Sequence, residues 1–194
     1  MGIILAVYER GDLYGLLWYF THWTQIETFL QILLSILGSS KNSSYGVLAL
    51  HHIFFELAFF CNIVTVTCYW PFIYKEHYER MKNKPLGLFL IHYSHSAPSI
   101  LIFVNFMMTD VVFRSSHYII IAPVGFTYGL INYLEVKRIG KPIYPFLTWK
   151  DSTAVLILSG VMLLCCFIWF GVTTLTVMIK RGVDIKKGKR EREI

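Results

Sequence analysis

Charge is what this chain is short of. Only 15% of its 194 residues are Asp, Glu, Lys or Arg, against 55% hydrophobic, and the mean hydropathy is +0.53. So few charges cannot clothe a water-facing surface, which excludes a soluble globular fold. Cysteine is sparse as well. Cys61, Cys68, Cys165 and Cys166 all lie in apolar stretches, without a CxxC pair. That excludes a disulfide framework and a zinc ribbon and leaves the thiols as small apolar fillers. Repeats and low-complexity linkers are missing too, so the chain reads as one domain. Met1 to Tyr8 is too short an apolar stretch for a signal peptide and lacks the Arg and Ser of a presequence.

What the sequence has is five apolar blocks: Leu13 to Leu37, Val47 to Tyr74, Leu86 to Met108, Tyr118 to Tyr133 and Thr153 to Ile179. Between them lie the break Ser39 to Ser44, the charged segment Lys75 to Lys84 closed by Pro85, Thr109-Asp110 with Arg114, and the polar stretch Glu135 to Pro145 followed by the break Thr148 to Ser152. Lengths of this order cross a bilayer as α-helices, the fourth block being marginal at about 16 residues. The expected fold is therefore all-α: a polytopic transmembrane helix bundle of about five spans over residues 1–179, followed by a basic, flexible tail at 180–194.

The net charge of +6 is largely a property of that tail, which holds seven of the 18 Lys and Arg. A basic run beside a span sets topology and touches anionic headgroups, and no module with interleaved stacking residues accompanies it. Membrane lipids are the expected partners, and nucleic acid is not. Five spans would put Arg10, Lys75, Arg80, Lys82, Lys84, Lys137, Arg138, Lys141 and Lys150 on one side. Lys41, Arg114 and the seven tail residues fall on the other, so the positive-inside rule returns a tie.

Polar residues inside apolar blocks ask for an explanation, because hydrocarbon offers them no partners. Blocks one and three start from the same membrane surface. Thr21 lies eight residues into the first and His95 nine into the third, which places both roughly 12 to 14 Å below that surface. A hydroxyl beside an imidazole in a water-poor pocket is a nucleophile and base pair, and ester hydrolysis follows from it. The structural alternative is a Thr bonded to its own helix and a His bridging two helices.

His51, His52 and His117 start blocks two and four at the opposite surface, as interfacial residues, with Glu56 about one turn further in as a helix-packing partner. A membrane di-iron centre needs several clustered HxxxH or ExxH boxes, whereas only His92-x-x-His95 and His51-His52 occur. No metal and no organic cofactor is expected. The abundant aromatics, Trp18, Tyr19, Trp23, Tyr69, Trp70, Tyr74, Tyr144 and Trp149, cluster near block ends as an interfacial belt.

Three segments, in order, resemble the androgen-induced and Rolling stone-like family of multi-spanning membrane proteins. Some members are threonine hydrolases acting on fatty acid esters of hydroxy fatty acids. The segments are Trp18 to Thr24, similar to the family's aromatic-x-Thr helix entrance, Leu90 to Ser96, similar to its Asn-His-x-x-His stretch, and Ile143 to Leu147, similar to its Tyr-Pro-Phe-Leu loop. The resemblance implies Thr21 as nucleophile and His95 as base, with His92 as a supporting partner. Thr24, three residues beyond Thr21, is the alternative nucleophile. Two departures stand out. Only the short apolar Ile3 to Tyr8 stands where the family has its first of six spans, and Ile91 replaces the Asn before the first His. The rival expectation is therefore a non-catalytic accessory subunit of a larger membrane complex, such as a respiratory assembly of the inner mitochondrial membrane.

Overall fold

The computed structural model describes residues 18–40 and 42–190, the last eight of these as backbone only. All regular structure in them is helical. The helices are α1 (Phe20–Gly38), α2 (Tyr45–Cys68), α3 (Tyr74–Met81), α4 (Pro85–Met108), α5 (Tyr118–Ile139) and α6 (Thr153–Arg190). A π-helical turn at Tyr69–Ile73 joins α2 to α3, so Tyr45–Met81 runs as one long helix. Four helices are long and apolar enough to cross a membrane: Tyr45–Met81, Pro85–Met108, Ser115–Ile139 and Thr153–Gly182. The fifth, α1, has 19 residues but carries more polar side chains. Ile3 to Tyr8 and the start of the first predicted block lie outside the described residues.

Local chemistry sets the helix ends. The Ser44 hydroxyl accepts the Val47 N–H at 3.3 Å and caps α2. Pro85 opens α4 at a position where its missing N–H costs nothing. Gly140, at φ 70°, closes α5 in the left-handed conformation, and its N–H donates to the Val136 carbonyl at 2.9 Å. At the end of α4, the Lys180 ammonium from α6 donates to the carbonyls of Phe106 (2.9 Å) and Thr109, and it lies over the Phe106 ring. A cation there complements the negative end of the helix.

Three boundaries differ from the sequence reading. The charged segment after Tyr74 is helical to Met81, as its Lys, Glu and Arg are good helix formers. The marginal fourth span extends to Ile139. Asn132 accepts the Trp149 indole N–H at 2.7 Å and Glu135 pairs with Arg138, so much of its polar end is paired within the protein, while the buried Asn132 amide nitrogen has no partner among the described residues. The basic run from Lys180 to Arg190 continues α6 as helix rather than starting a separate segment.

The bundle exposes apolar side chains on its outside and buries a mixed interior, an aromatic core together with a polar face contributed by α1. On α1, His22, Thr24, Glu27, Thr28 and Gln31 are buried, while Phe29 is 66% and Ile36 65% exposed. Lipid tails solvate the outward apolar faces as well as a protein core would, so hydrophobic burial does not hold the helices together, and polar contacts and close packing do. Asn62 on α2 donates to the Thr28 hydroxyl (2.8 Å), and the Ser99 hydroxyl of α4 donates to the Asn62 carbonyl (3.3 Å). An aromatic cluster of Phe55, Phe59, Phe60, Phe106, Phe113 and Trp169 packs α2, α4 and α6 around the loop between α4 and α5.

Candidate active site

The π-turn is where the site begins. Pro71 has no N–H to donate and its ring crowds the carbonyl four residues back, so the ladder slips by one and the Tyr74 N–H reaches the Tyr69 carbonyl. This local shift directs the fully buried Tyr69 ring onto α4. There it stacks on the His95 imidazole, with centroids 3.7 Å apart and an interplanar angle of 14°.

His95 is held from both sides of its ring. Its Nδ1 lies 2.8 Å from the Ile91 carbonyl, one turn back on α4, with the Ser94 hydroxyl at 3.2 Å. A carbonyl can only accept, so the hydrogen sits on Nδ1. The Nε2 lone pair is then free to accept, and it faces the Thr21 hydroxyl of α1 at 3.1 Å. The two residues that matched depth brings to one level are therefore in hydrogen-bond contact. Gln25, a turn further along α1, donates to the Ser94 carbonyl at 3.3 Å and ties the two helices beside the pair.

The other two candidates are placed differently. Thr24 is buried, and its hydroxyl donates to the Thr21 carbonyl at 2.8 Å without a basic partner. His92 does not orient His95. Its ring packs against Trp70 (5.5 Å) and Tyr74 (5.4 Å), and its Nε2 is buried without a hydrogen-bond partner among the described residues. The supporting part is taken instead by a backbone carbonyl and an aromatic ring, neither of which residue spacing reveals.

An apolar cavity of about 120 Å³ opens beside the pair, lined by Phe20, Thr21, Tyr69, His95, Tyr128 and Tyr144 among others. Tyr144 comes from the loop between α5 and α6, which folds back over the start of α1. Its hydroxyl oxygen accepts the Phe20 N–H at 3.1 Å, one residue from Thr21. Burial pushes this hydroxyl up to about 12, so it keeps its proton and can donate it. Tyr128 anchors the same corner by donating to the Trp18 carbonyl at 2.8 Å. Of these, Tyr144 was within reach of the sequence as part of the Tyr-Pro-Phe-Leu segment, whereas Tyr69 and Tyr128 read only as belt or span residues.

The histidines at the far surface also find partners. His51 Nε2 meets the Ser35 hydroxyl at 2.8 Å, and His52 and His117 both meet Glu56. Comparison with protein-family models, with characterised proteins and with solved structures finds no match to this chain.

Proposed function

We propose that the protein is a membrane hydrolase of lipid esters with Thr21 as nucleophile and His95 as general base. The observation that carries this reading is the 3.1 Å contact between the Thr21 hydroxyl and a His95 Nε2 whose tautomer is set by the Ile91 carbonyl, at the edge of an apolar cavity. A threonine bonded only for structure satisfies its own helix, as Thr24 and Thr28 do here.

The chemistry runs in two halves. In the first, the Thr21 oxygen attacks the ester carbonyl carbon as its proton passes to His95 Nε2. The tetrahedral intermediate collapses, the carbon–oxygen bond to the leaving alcohol breaks, and His95 returns the proton to that alcohol. In the second, a water gives its proton to His95 and attacks the acyl-threonine. The Thr21 oxygen leaves with that proton, and a carboxylic acid is released. The cavity suits an acyl chain, and the family resemblance supports esters of hydroxy fatty acids as the substrate class.

Labelling of the detergent-purified chain with a fluorophosphonate probe tests this. The wild type and Thr24→Ala should label, and Thr21→Ala and His95→Ala should fall to background while keeping wild-type helicity. Equal labelling of Thr21→Ala would remove the proposal. An unlabelled wild type that co-purifies only with a large membrane complex would favour the accessory-subunit reading instead.

A further inference from the structure

One cluster takes no part in the ester chemistry. Across the bundle from Thr21, on the α2 end nearest the α1–α2 loop, Glu56 buries its side chain to 1% exposure one turn from His52. His117 closes a 3₁₀ turn at Ser115–His117 and reaches the same carboxylate from the start of α5. His52 Nε2 lies 3.0 Å from Glu56 Oε1, and His117 Nδ1 lies 2.5 Å from Oε2. One donor atom from each residue lies within 4.8 Å of the other two. The imidazole planes cross at 75°, and the Arg114 N–H donates to Oε1 at 2.7 Å, so the carboxylate is oriented from outside the cluster.

A carboxylate withdrawn from water inside an apolar helix needs a compensating positive charge. Among the described residues, no Lys or Arg side chain pairs with Glu56, and its ionic partners are the two histidines alone. A divalent cation held by the three side chains supplies that charge and also engages the imidazole lone pairs. Two histidines and one carboxylate, with a fourth position open, are the donor set of borderline divalent ions. Ligand bonds of about 2.0 to 2.2 Å put tetrahedral donors roughly 3.4 Å apart, so each imidazole nitrogen would draw back from the carboxylate by less than about 1 Å to admit the ion. His52 and His117 keep 24% and 20% side-chain exposure, so the cluster is not sealed inside the bundle. We propose that His52, Glu56 and His117 form a Zn²⁺-type site that fastens the start of α5 to α2. It stands independently of the hydrolase reading.

The test uses the full chain, purified in detergent through a histidine-free tag, stripped with a chelator and titrated calorimetrically with ZnCl₂. One ion per chain and a higher melting temperature on saturation are expected. His52→Ala and His117→Ala should each weaken binding by more than about 100-fold, beyond the effect of losing an outer-shell partner. Glu56→Gln keeps the side-chain shape and should abolish stoichiometric binding. His51→Ala should leave it unchanged, since His51 pairs with Ser35. If either alanine variant loses wild-type helicity or elution volume, Glu56→Gln and His117→Gln decide. Binding no tighter in the wild type than in Glu56→Gln, or an equal loss in His51→Ala, would overturn the proposal and leave a hydrogen-bonded helix clamp.

Discussion

A threonine hydroxyl attacks an acyl carbon only when its proton has somewhere to go, and the direction of one hydrogen on His95 decides that. The Ile91 carbonyl claims the Nδ1 hydrogen, so Nε2 can accept only from Thr21, and the stacked Tyr69 ring keeps the imidazole plane from turning away. On the proposed hydrolase reading, the tetrahedral intermediate still needs a donor for its developing oxyanion. Tyr144 suits that part: it lines the same cavity, stays protonated, and its oxygen is already fixed beside Thr21 by the Phe20 N–H. In the hydrolase reading, Tyr144→Phe removes a donor used only in the transition state. It should lower kcat roughly 10²-fold while KM stays near the wild-type value, measured by steady-state hydrolysis of a fatty-acyl ester. A rise in KM with kcat unchanged would instead assign Tyr144 to cavity packing.

At the scale of the element, the π-turn couples a backbone defect to the site. Pro71→Ala would restore a donor at position 71, let the α-helical ladder close through Tyr69–Ile73, and rotate Tyr69 off His95. Hydrolysis should fall by about ten- to a hundredfold, as expected when a reacting group is displaced by the order of an ångström. Thermal stability should hold or rise, because a proline leaves a helix interior; an activity unchanged alongside higher stability would show the turn to be incidental. Such couplings mark the limit of what could be read beforehand. The level of Thr21 and His95 was legible because helical rise fixes depth, and the presence of the apolar helices was legible from hydropathy, but three of their ends were not, because charged helix formers carry the helix past the apolar window. The Ile91 carbonyl, the Tyr69 stack and the loop that returns Tyr144 were not, because a backbone acceptor has no side-chain signature and a loop's path depends on packing. His52 and Glu56 stand at i, i+4, so their contact was readable on α2, but His117 joins them only through the turn at Ser115–His117.

For the whole molecule, the question is whether α1 crosses the membrane with the other four. Its composition argues against it, since hydropathy averages over all faces and α1 carries Thr21, Thr24, Gln25, Glu27, Thr28 and Gln31. Its surface argues for it. The polar side chains at 22, 24, 27, 28 and 31 turn inward, and Ile26, Phe29, Ile32, Leu33, Ile36 and Leu37 are the ones exposed. At 1.5 Å per residue its 19 residues span about 28 Å, close to the roughly 30 Å hydrocarbon thickness. A helix buried by its polar face is invisible to a hydropathy scan and fully compatible with lipid. The long helix Tyr45–Met81 puts the α1–α2 loop and the α3–α4 loop on opposite sides, and if α1 crosses, the residues at its entrance, Trp18 and Tyr19, share the side of the latter. Ser40→Cys should then react with an impermeant maleimide from one face of oriented vesicles and Lys82→Cys from the other. Trp18→Cys, at the entrance of α1, should react only from the Lys82 face. Reaction of Trp18→Cys from the Ser40 face would make α1 a surface helix, and Thr21 could then no longer meet His95 at depth within the bundle.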